Sequence, residues 1–327
     1  MLITKTPFRI SFCGGGSDMP DFYRENEGCV LSTSINKYMY ISIHPYFDED
    51  KIALKYSENE VVTDYCQIKH SIFRQVLSDY GIHGVELVST ADVPSGTGLG
   101  SSSSFTVGLI HTLCCYQEKY ISKQDAAKAA CEVEIDKLKN PIGKQDQYAA
   151  ACGGLNFITF HQDDTVSVEP LIMKNETRKM LQENLVMFYT GIKHNANEIL
   201  AEQVKSISKQ DKVKNLLEMC NIAKAMRRSL LDNDISDFGR MLHENWMLKK
   251  ELAGGITRPE IDGVYEAALK SGAVGGKLLG AGGGGFLLFY CEKQNQKKLE
   301  ENLGLKKFDF KFERDGTSVI YIGENYR

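Results

Sequence analysis

The sequence predicts an α+β protein of two domains. Three observations lead there: a length of 327 residues, β-rich runs that recur through the chain, and helix-patterned runs set between glycine-rich turns. The expected division falls at residue 175, giving domains at 1–175 and 176–327. A net charge of −4 and a pI near 6.0 argue against a nucleic-acid surface. No apolar run approaches the ~18 residues of a membrane span, and the N-terminus lacks the apolar core of a signal peptide. A cytoplasmic protein without membrane or nucleic-acid partners is therefore expected. The nine cysteines form no CxxC pair, which suits reduced, mostly buried thiols rather than a metal site.

Residues 2–12 read as two short strand segments broken at Pro7, running into Cys13-Gly14-Gly15-Gly16-Ser17-Asp18. A hairpin turn needs one glycine; three before Ser-Asp suit close backbone approach to a ligand, with Asp18 accepting hydrogen bonds from sugar hydroxyls. Arg9 stands in an otherwise apolar strand, so it either faces solvent on an edge or is buried with a partner. Strands follow at 30–35 and 38–43, an acidic turn at 48–51, an amphipathic helix at 64–80 and an alternating strand at 84–90. Then comes Pro94-Ser95-Gly96-Thr97-Gly98-Leu99-Gly100-Ser101-Ser102-Ser103-Ser104, followed at 105–116 by a run apolar on all sides, a buried helix. Residues 123–139 form a helix ended by Asn140-Pro141. Asp146 follows a glycine turn and opens a run of small residues, Ala149-Ala150-Ala151-Cys152-Gly153-Gly154, as a carboxylate at the buried start of a packed helix does.

A strand at 155–160, a polar turn at 162–164, and a strand and short helix over 161–184 lead to a buried strand at 185–190 that ends at Gly191. Helices at 199–208, 212–233 and 235–252 carry Met219, Met226, Met241 and Met247 as core residues. A helix at 261–271, capped by Gly272, precedes Gly275-Gly276-Lys277-Leu278-Leu279-Gly280-Ala281-Gly282-Gly283-Gly284-Gly285 and an apolar strand at 286–290. Ser271 and Leu278 stand where a Walker A loop needs glycine and Ser or Thr, so this is not a P-loop. Its glycines serve either a bulged turn packed under another element or a backbone lining a phosphate or substrate cleft. A last helix at 295–302 and strand at 317–322 complete the second domain.

Strand, glycine loop and helix at 84–116 aim backbone N–H groups and a helix dipole at one point, which suits a phosphate. Taken alone, the loop also fits a capped helix after a tight turn. Its serines can cap the helix, bind phosphate oxygen or bind Mg²⁺. Glu132 and Glu134 lie about 200° apart on a helix, so only one can face the loop. With Arg9 and Asp146 these are the parts of a phosphoryl-transfer site. The loop holds a triphosphate, a serine and a carboxylate hold Mg²⁺, an aspartate meets the acceptor hydroxyl and an arginine offsets charge.

Residues Pro94 to Ser104 resemble the PxxxGLGSSAA signature of the GHMP kinases. Lys277 to Phe286 is similar to that family's C-terminal glycine motif, and Pro7 to Asp18 to its N-terminal substrate motif. The resemblance implies an N-terminal domain like ribosomal protein S5 domain 2 and a ferredoxin-like C-terminal domain around a shared cleft. It implies ATP and Mg²⁺, with Asp146 and Arg9 catalytic. ATP would be bound by Pro94, Gly96, Gly98, Leu99, Gly100, Ser101, Ser102 and Ser103, and the metal by Ser102 and Glu134. The acceptor would meet Gly15, Gly16, Ser17, Asp18, Gly191, Lys193, His194, Gly282 and Gly283. Ser103-Ser104 depart from the usual alanine pair, and His194 stands where relatives often carry arginine. The segments TPFRISFCGGGSD, GTGLGSSSS, GKQDQYAAACGG and LLGAGGGGF look most like the D-glycero-D-manno-heptose 7-phosphate kinase branch, with fucokinase domains nearby. That branch implies phosphorylation of the anomeric hydroxyl of a heptose 7-phosphate by a monomer or homodimer. A kinase for another sugar such as L-fucose, or a non-catalytic sugar or nucleotide sensor, is the alternative.

Overall fold

The computed structural model describes residues 1–192, 196–207 and 210–324. Its first element, β1 (Leu2–Cys13), runs unbroken through Pro7 rather than as two segments. The missing proline N–H falls at a register shift between Pro7 and Phe8, where the ladder is already interrupted. A short helix, α1 (Pro20–Tyr23), leads into β2 (Gly28–Pro45), again one strand where two were expected. The hairpin β3 (Ile52–Lys55) and β4 (Asn59–Val62) has no counterpart in the sequence reading, because its four-residue strands are too short to show a period. The helix expected at 64–80 shortens to α2 (Ser71–Tyr80), preceded by a single 3₁₀ turn.

After β5 (Val85–Ala91) come α3 (Ser101–Tyr116) and α4 (Lys123–Cys131), which continues as a π-helical turn over Glu132–Lys137. Next are α5 (Gln145–Cys152), β6 (Leu155–Phe160), β7 (Val166–Pro170), α6 (Asn175–Glu183) and β8 (Leu185–Tyr189). The helices α7 (Ala196–Ile207), α8 (Gln210–Leu231), α9 (Phe238–Lys250) and α10 (Pro259–Lys270) follow. The chain closes with β9 (Ala273–Leu278), β10 (Phe286–Cys291), α11 (Lys293–Leu303), β11 (Lys306–Lys307) and β12 (Ser318–Ile322).

Strand β2 organises the first sheet. Its C-terminal half pairs with β5 and its N-terminal half with β6, so the sheet forks along one strand. The order is β12-β1-β2-β5-β3-β4, with β6 on β2 and β7 on β6. The second sheet, β11-β8-β10-β9, is antiparallel throughout. The last strand corrects an expectation: β12 pairs antiparallel with β1, Leu2 opposite Ile322, and belongs to the first sheet. There it covers an edge that β1 would otherwise leave open, and the Thr6 and Thr317 hydroxyls bond at 2.9 Å beside it.

Two cores result. In one, α3 lies buried between the first sheet and α4 and α5, which explains its apolar residues on every side. In the other, Phe8, Ile10 and Phe12 of β1 join Met219, Met226, Met241 and Trp246 from α8 and α9. The Phe12 and Phe238 rings meet edge to face at 5.3 Å. Each such fully buried side chain stabilises by ~1.5–3 kcal/mol. The shared core fixes the glycine turn after β1 beside α9, and that juxtaposition shapes the cleft. Among the described residues no helix is long and apolar enough to cross a membrane, and all nine cysteines carry free thiols.

Candidate active site

The turn between β5 and α3 is possible because Gly96, Gly98 and Gly100 all take positive φ, at 73°, 85° and 74°. Gly100 is the N-cap of α3, and no side chain closes over the first turn. The N–H groups at the head of this helix are therefore left to an outside acceptor at the positive end of its dipole. Ser101, Ser102 and Ser103 line an open cleft of about 220 Å³. Lys249, Lys277, Gly280 and Ala281 complete its lining.

Arg9 is buried with a partner. Its Nε and Nη2 donate to the two carboxylate oxygens of Asp146, each at 2.7 Å, and its Nη1 donates to the Gly98 carbonyl, also at 2.7 Å. Only 4% of Arg9 is exposed, against 23% of the Asp146 side chain. The fork geometry uses one lone pair on each Asp146 oxygen, so the exposed edge can still accept from an acceptor hydroxyl. The Arg9 N–H also donates to the Leu99 carbonyl at 3.1 Å. One arginine thus ties the phosphate loop to the head of α5.

Of the two helical glutamates, Glu134 faces in and is fully buried, while Glu132 is exposed. The π-helical turn that carries Glu134 closes with a bond from the Leu138 N–H to the Val133 carbonyl. Such wide turns recur at functional sites. Glu134 accepts from the Ser102 hydroxyl at 2.9 Å and from the Gln147 amide at 2.8 Å. Burial still pushes its carboxyl above the usual range, although these donors favour the charged form. A buried carboxylate touching a hydroxyl at the mouth of a phosphate loop is a donor set that fits Mg²⁺. Among the described residues no three acidic, His or Cys side chains converge on one point, so the remaining ligands would be phosphate oxygens and water. Ser104 turns away to the Pro7 carbonyl, while Ser102 and, beside it, Ser103 face Glu134.

Gly15, Gly16 and Asp18 form the wall beside Asp146. Asp18 accepts from the Gly16 N–H at 2.8 Å and from the backbone and side-chain amides of Gln145 at 3.1 and 3.2 Å. Burial raises its pKa above the ordinary aspartate value. Its carboxylate thus caps α5 as well as facing the cleft.

Other candidates lie elsewhere. The Ser17 hydroxyl is taken up by Gly14 and Cys29 backbone groups inside the turn. Leu99 points into the core, and Pro94 is exposed outside the cleft. Gly282 packs on the Ile256 backbone, and the Gly283 N–H donates to the Ile256 carbonyl at 2.9 Å, so both serve loop packing. Gly191 is exposed, and no described residue lies within 4 Å of where its Cβ would stand. Lys193 and His194 lie outside the described residues. Among the lining residues that the sequence reading did not name as site residues are the polar Ser11, Gln145, Lys249 and Lys277. The one available signal was Lys277, a charge between glycines and an apolar strand.

Comparison with known proteins follows this geometry. The GHMP kinases N terminal domain profile matches residues 67–154, and the GHMP kinases C terminal profile matches residues 222–309. The chain is 28% identical to the D-glycero-alpha-D-manno-heptose 7-phosphate kinase of Campylobacter jejuni, over 96% of this chain and 97% of that one. It superposes on the crystal structure of a D-glycero-D-manno-heptose 1-phosphate kinase from Bacteriodes thetaiotaomicron with a TM-score of 0.81, at 25% identity, covering 99% and 100% of the two chains. It is 29% identical to an L-fucokinase/L-fucose-1-P guanylyltransferase of Bacteroides fragilis, over 86% of this chain and 34% of that protein. These matches bear out the α+β fold that the sequence motifs implied.

Proposed function

Because the chain belongs to the GHMP kinases, we propose that it transfers the terminal phosphoryl group of ATP to the anomeric hydroxyl of a heptose 7-phosphate. The product is the 1,7-bisphosphate. The observation that carries this reading is the pairing of Arg9 with Asp146 across the loop from Ser102 and Glu134. It sets an acceptor-orienting carboxylate and a metal-fitting pair on two sides of one phosphate cradle. In this reading residues 1–175 supply the cradle, and residues 176–327 supply the opposing wall.

The head of α3 and the loop backbone bind and orient the phosphates, with Gly96, Gly98 and Gly100 allowing close approach. Ser102 and Glu134 would hold Mg²⁺, which when bound neutralises charge on the phosphate oxygens. Asp146 accepts the hydrogen of the anomeric hydroxyl and aims its oxygen at the γ-phosphorus. The new P–O bond forms as the bond to the ADP oxygen breaks, and the proton ends on Asp146. For a loose transition state, aiming the hydroxyl contributes more than removing its proton. Arg9 holds the Asp146 carboxylate in that pose and offsets negative charge beside the transferred group. Both substrates are metabolites of the cytoplasm, where we place the enzyme.

The likeness to the fucokinase supports a second reading, in which the acceptor is L-fucose or another free sugar. Coupled ADP-release assays with Mg-ATP and heptose 7-phosphate, L-fucose or D-galactose separate the two, and product NMR locates the new phosphate. Rapid turnover of L-fucose with heptose 7-phosphate inert would replace the first reading by the second. A sensor without transfer would leave every sugar unphosphorylated.

A further inference from the structure

Lys249, on α9, and Lys277, on β9, line the same cleft, with 6% and 4% of each residue exposed. The Lys249 Nζ donates to the Gly15 carbonyl at 3.1 Å, and the Lys277 Nζ to the Phe12 carbonyl at 3.2 Å. Among the described residues neither forms an ion pair, although an ammonium carries three donors. The carboxylates nearest in charge to Lys249 are already engaged, Asp18 by the head of α5 and Asp146 by Arg9. Beside the lysines, the Ser11 hydroxyl and the Gln145 side-chain oxygen are buried without a hydrogen-bond partner. A Cβ on Gly15 would lie 3.4 Å from the Gln145 amide nitrogen and 3.5 Å from the Ser11 oxygen, so Gly15 keeps the space between them open.

Buried cations without a counter-charge are costly, and so are buried polar atoms without partners. Burial holds the Lys249 ammonium down at about 8 and the Lys277 ammonium at about 7. What the patch lacks is a group with negative charge and several acceptor oxygens. In the function proposed above the nucleotide phosphates take the head of α3, whereas the two lysines bond the carbonyls of Phe12 and Gly15, at the end of β1 and in the turn after it. Arg9 and Phe12 stand three residues apart on β1, roughly 10 Å along a strand. That is the order of distance between the reacting end of a seven-carbon sugar and its far terminus.

We infer that Lys249 and Lys277, with Ser11 and Gln145 beside them, form the subsite for a phosphate monoester already carried by the acceptor, and so select a sugar phosphate over the free sugar. This rests on the acceptor class proposed above.

The test compares Lys249→Met, Lys277→Met and the milder Ser11→Ala with the wild type, using heptose 7-phosphate and the same heptose without its phosphate. Each lysine change should lower the ratio of kcat/KM for the phosphorylated over the unphosphorylated sugar roughly 10- to 100-fold, through a raised KM for the sugar phosphate. Ser11→Ala should lower it by about threefold or more. Inorganic phosphate should compete with the sugar phosphate in the wild type and lose that effect in the lysine variants. Equal losses on both sugars, or a raised KM for ATP in place of the sugar phosphate, would overturn the assignment. Should the wild type phosphorylate neither sugar, the acceptor reading fails by itself. Calorimetry with inorganic phosphate then decides the subsite: binding by the wild type alone supports it, and equal or absent binding refutes it.

Discussion

Replacing Asp146 by Asn tests the centre of the site with a change of one atom and one charge. Arg9 now spends two 2.7 Å bonds on the carboxylate. An amide oxygen can accept one of them, but the NH₂ group then faces a donor. One charge-assisted bond is lost, and Arg9 keeps its charge, 4% exposed, with the Gly98 carbonyl as its remaining strong acceptor. Such a bond is worth ~1.5–3 kcal/mol. The Asp146 side chain is 23% exposed, so water softens the loss and the lower end applies, ~1.5–2 kcal/mol of stability. Catalysis should suffer far more, because the group that aims the acceptor hydroxyl has lost its charge: kcat should fall about 10²-fold or more. The KM for ATP should stay within about threefold, since the loop N–H groups are untouched. Steady-state ADP release and urea unfolding measure both quantities on one preparation. Near-normal turnover would remove Asp146 from the mechanism. A KM for ATP that rises in step with the loss of kcat would mean that Asp146 acts by anchoring the loop through Arg9.

Glu134→Gln can still satisfy Ser102 and Gln147 by turning its amide, so the fold should hold while the Mg²⁺ concentration for half-maximal rate rises roughly 10- to 100-fold. An unchanged metal titration would clear Glu134 of that role. Gly98→Ala adds a Cβ that collides with the Leu279 carbonyl at a φ of 85°, whereas Gly191→Ala, at 76°, meets none of the described residues. Urea unfolding should show a loss of ~1–2 kcal/mol for Gly191→Ala, the left-handed backbone alone, and clearly more for Gly98→Ala; equal losses would contradict the described packing. Because burial lowers Lys277 to about 7, the unfolded chain binds more protons than the folded one above that pH, and the stability of the ligand-free protein should gain from this residue as pH rises. Lys249, Arg9 and Cys13 face the same ammonium. Between about pH 7 and 8.5, Lys277→Met should flatten the wild-type slope by up to ~1.4 kcal/mol per pH unit, and an identical slope in the variant would refute the buried charge.

Much of this site could be read in the chain because its parts are local. The positive-φ glycines before α3, the serines at its head and Asp146 at the head of α5 each follow from a few adjacent residues. Helix geometry allowed only one of Glu132 and Glu134 to face the loop; the family resemblance singled out Glu134, and it is the one the fold buries. What escaped was set at long range. Nothing in residues 317–322 tells β12 to pair with β1, since an exposed edge strand with little burial pairs wherever the core delivers it. Pro7 suggested a break, but a strand tolerates proline where its ladder already shifts register. Lys249 sits among apolar residues of α9 as any surface lysine at the rim of a helix might, and only the shared core beneath β1 turns it inward.

The two glycine loops show that the backbone packing and the cleft draw on the same glycines. A Cβ on Gly98 would strike the Leu279 carbonyl, one on Gly280 the Gly98 backbone, and one on Gly285 the Thr97 carbonyl. The loops lie backbone on backbone, so several of these glycines are needed for each other before any ligand is considered. Gly96, Gly98, Gly100 and Gly280 also line the cleft, whereas Gly282, Gly283 and Gly285 serve packing. The contact has a chemical consequence, because Gly98, packed against Leu279 and Gly280, carries the carbonyl that accepts from Arg9 Nη1. The position of β9 and its following loop therefore reaches Asp146 through two contacts, Leu279 to Gly98 and Gly98 to Arg9. The second sheet borders the cleft and, along the same path, holds the Asp146 carboxylate in register with the glycine loop before α3.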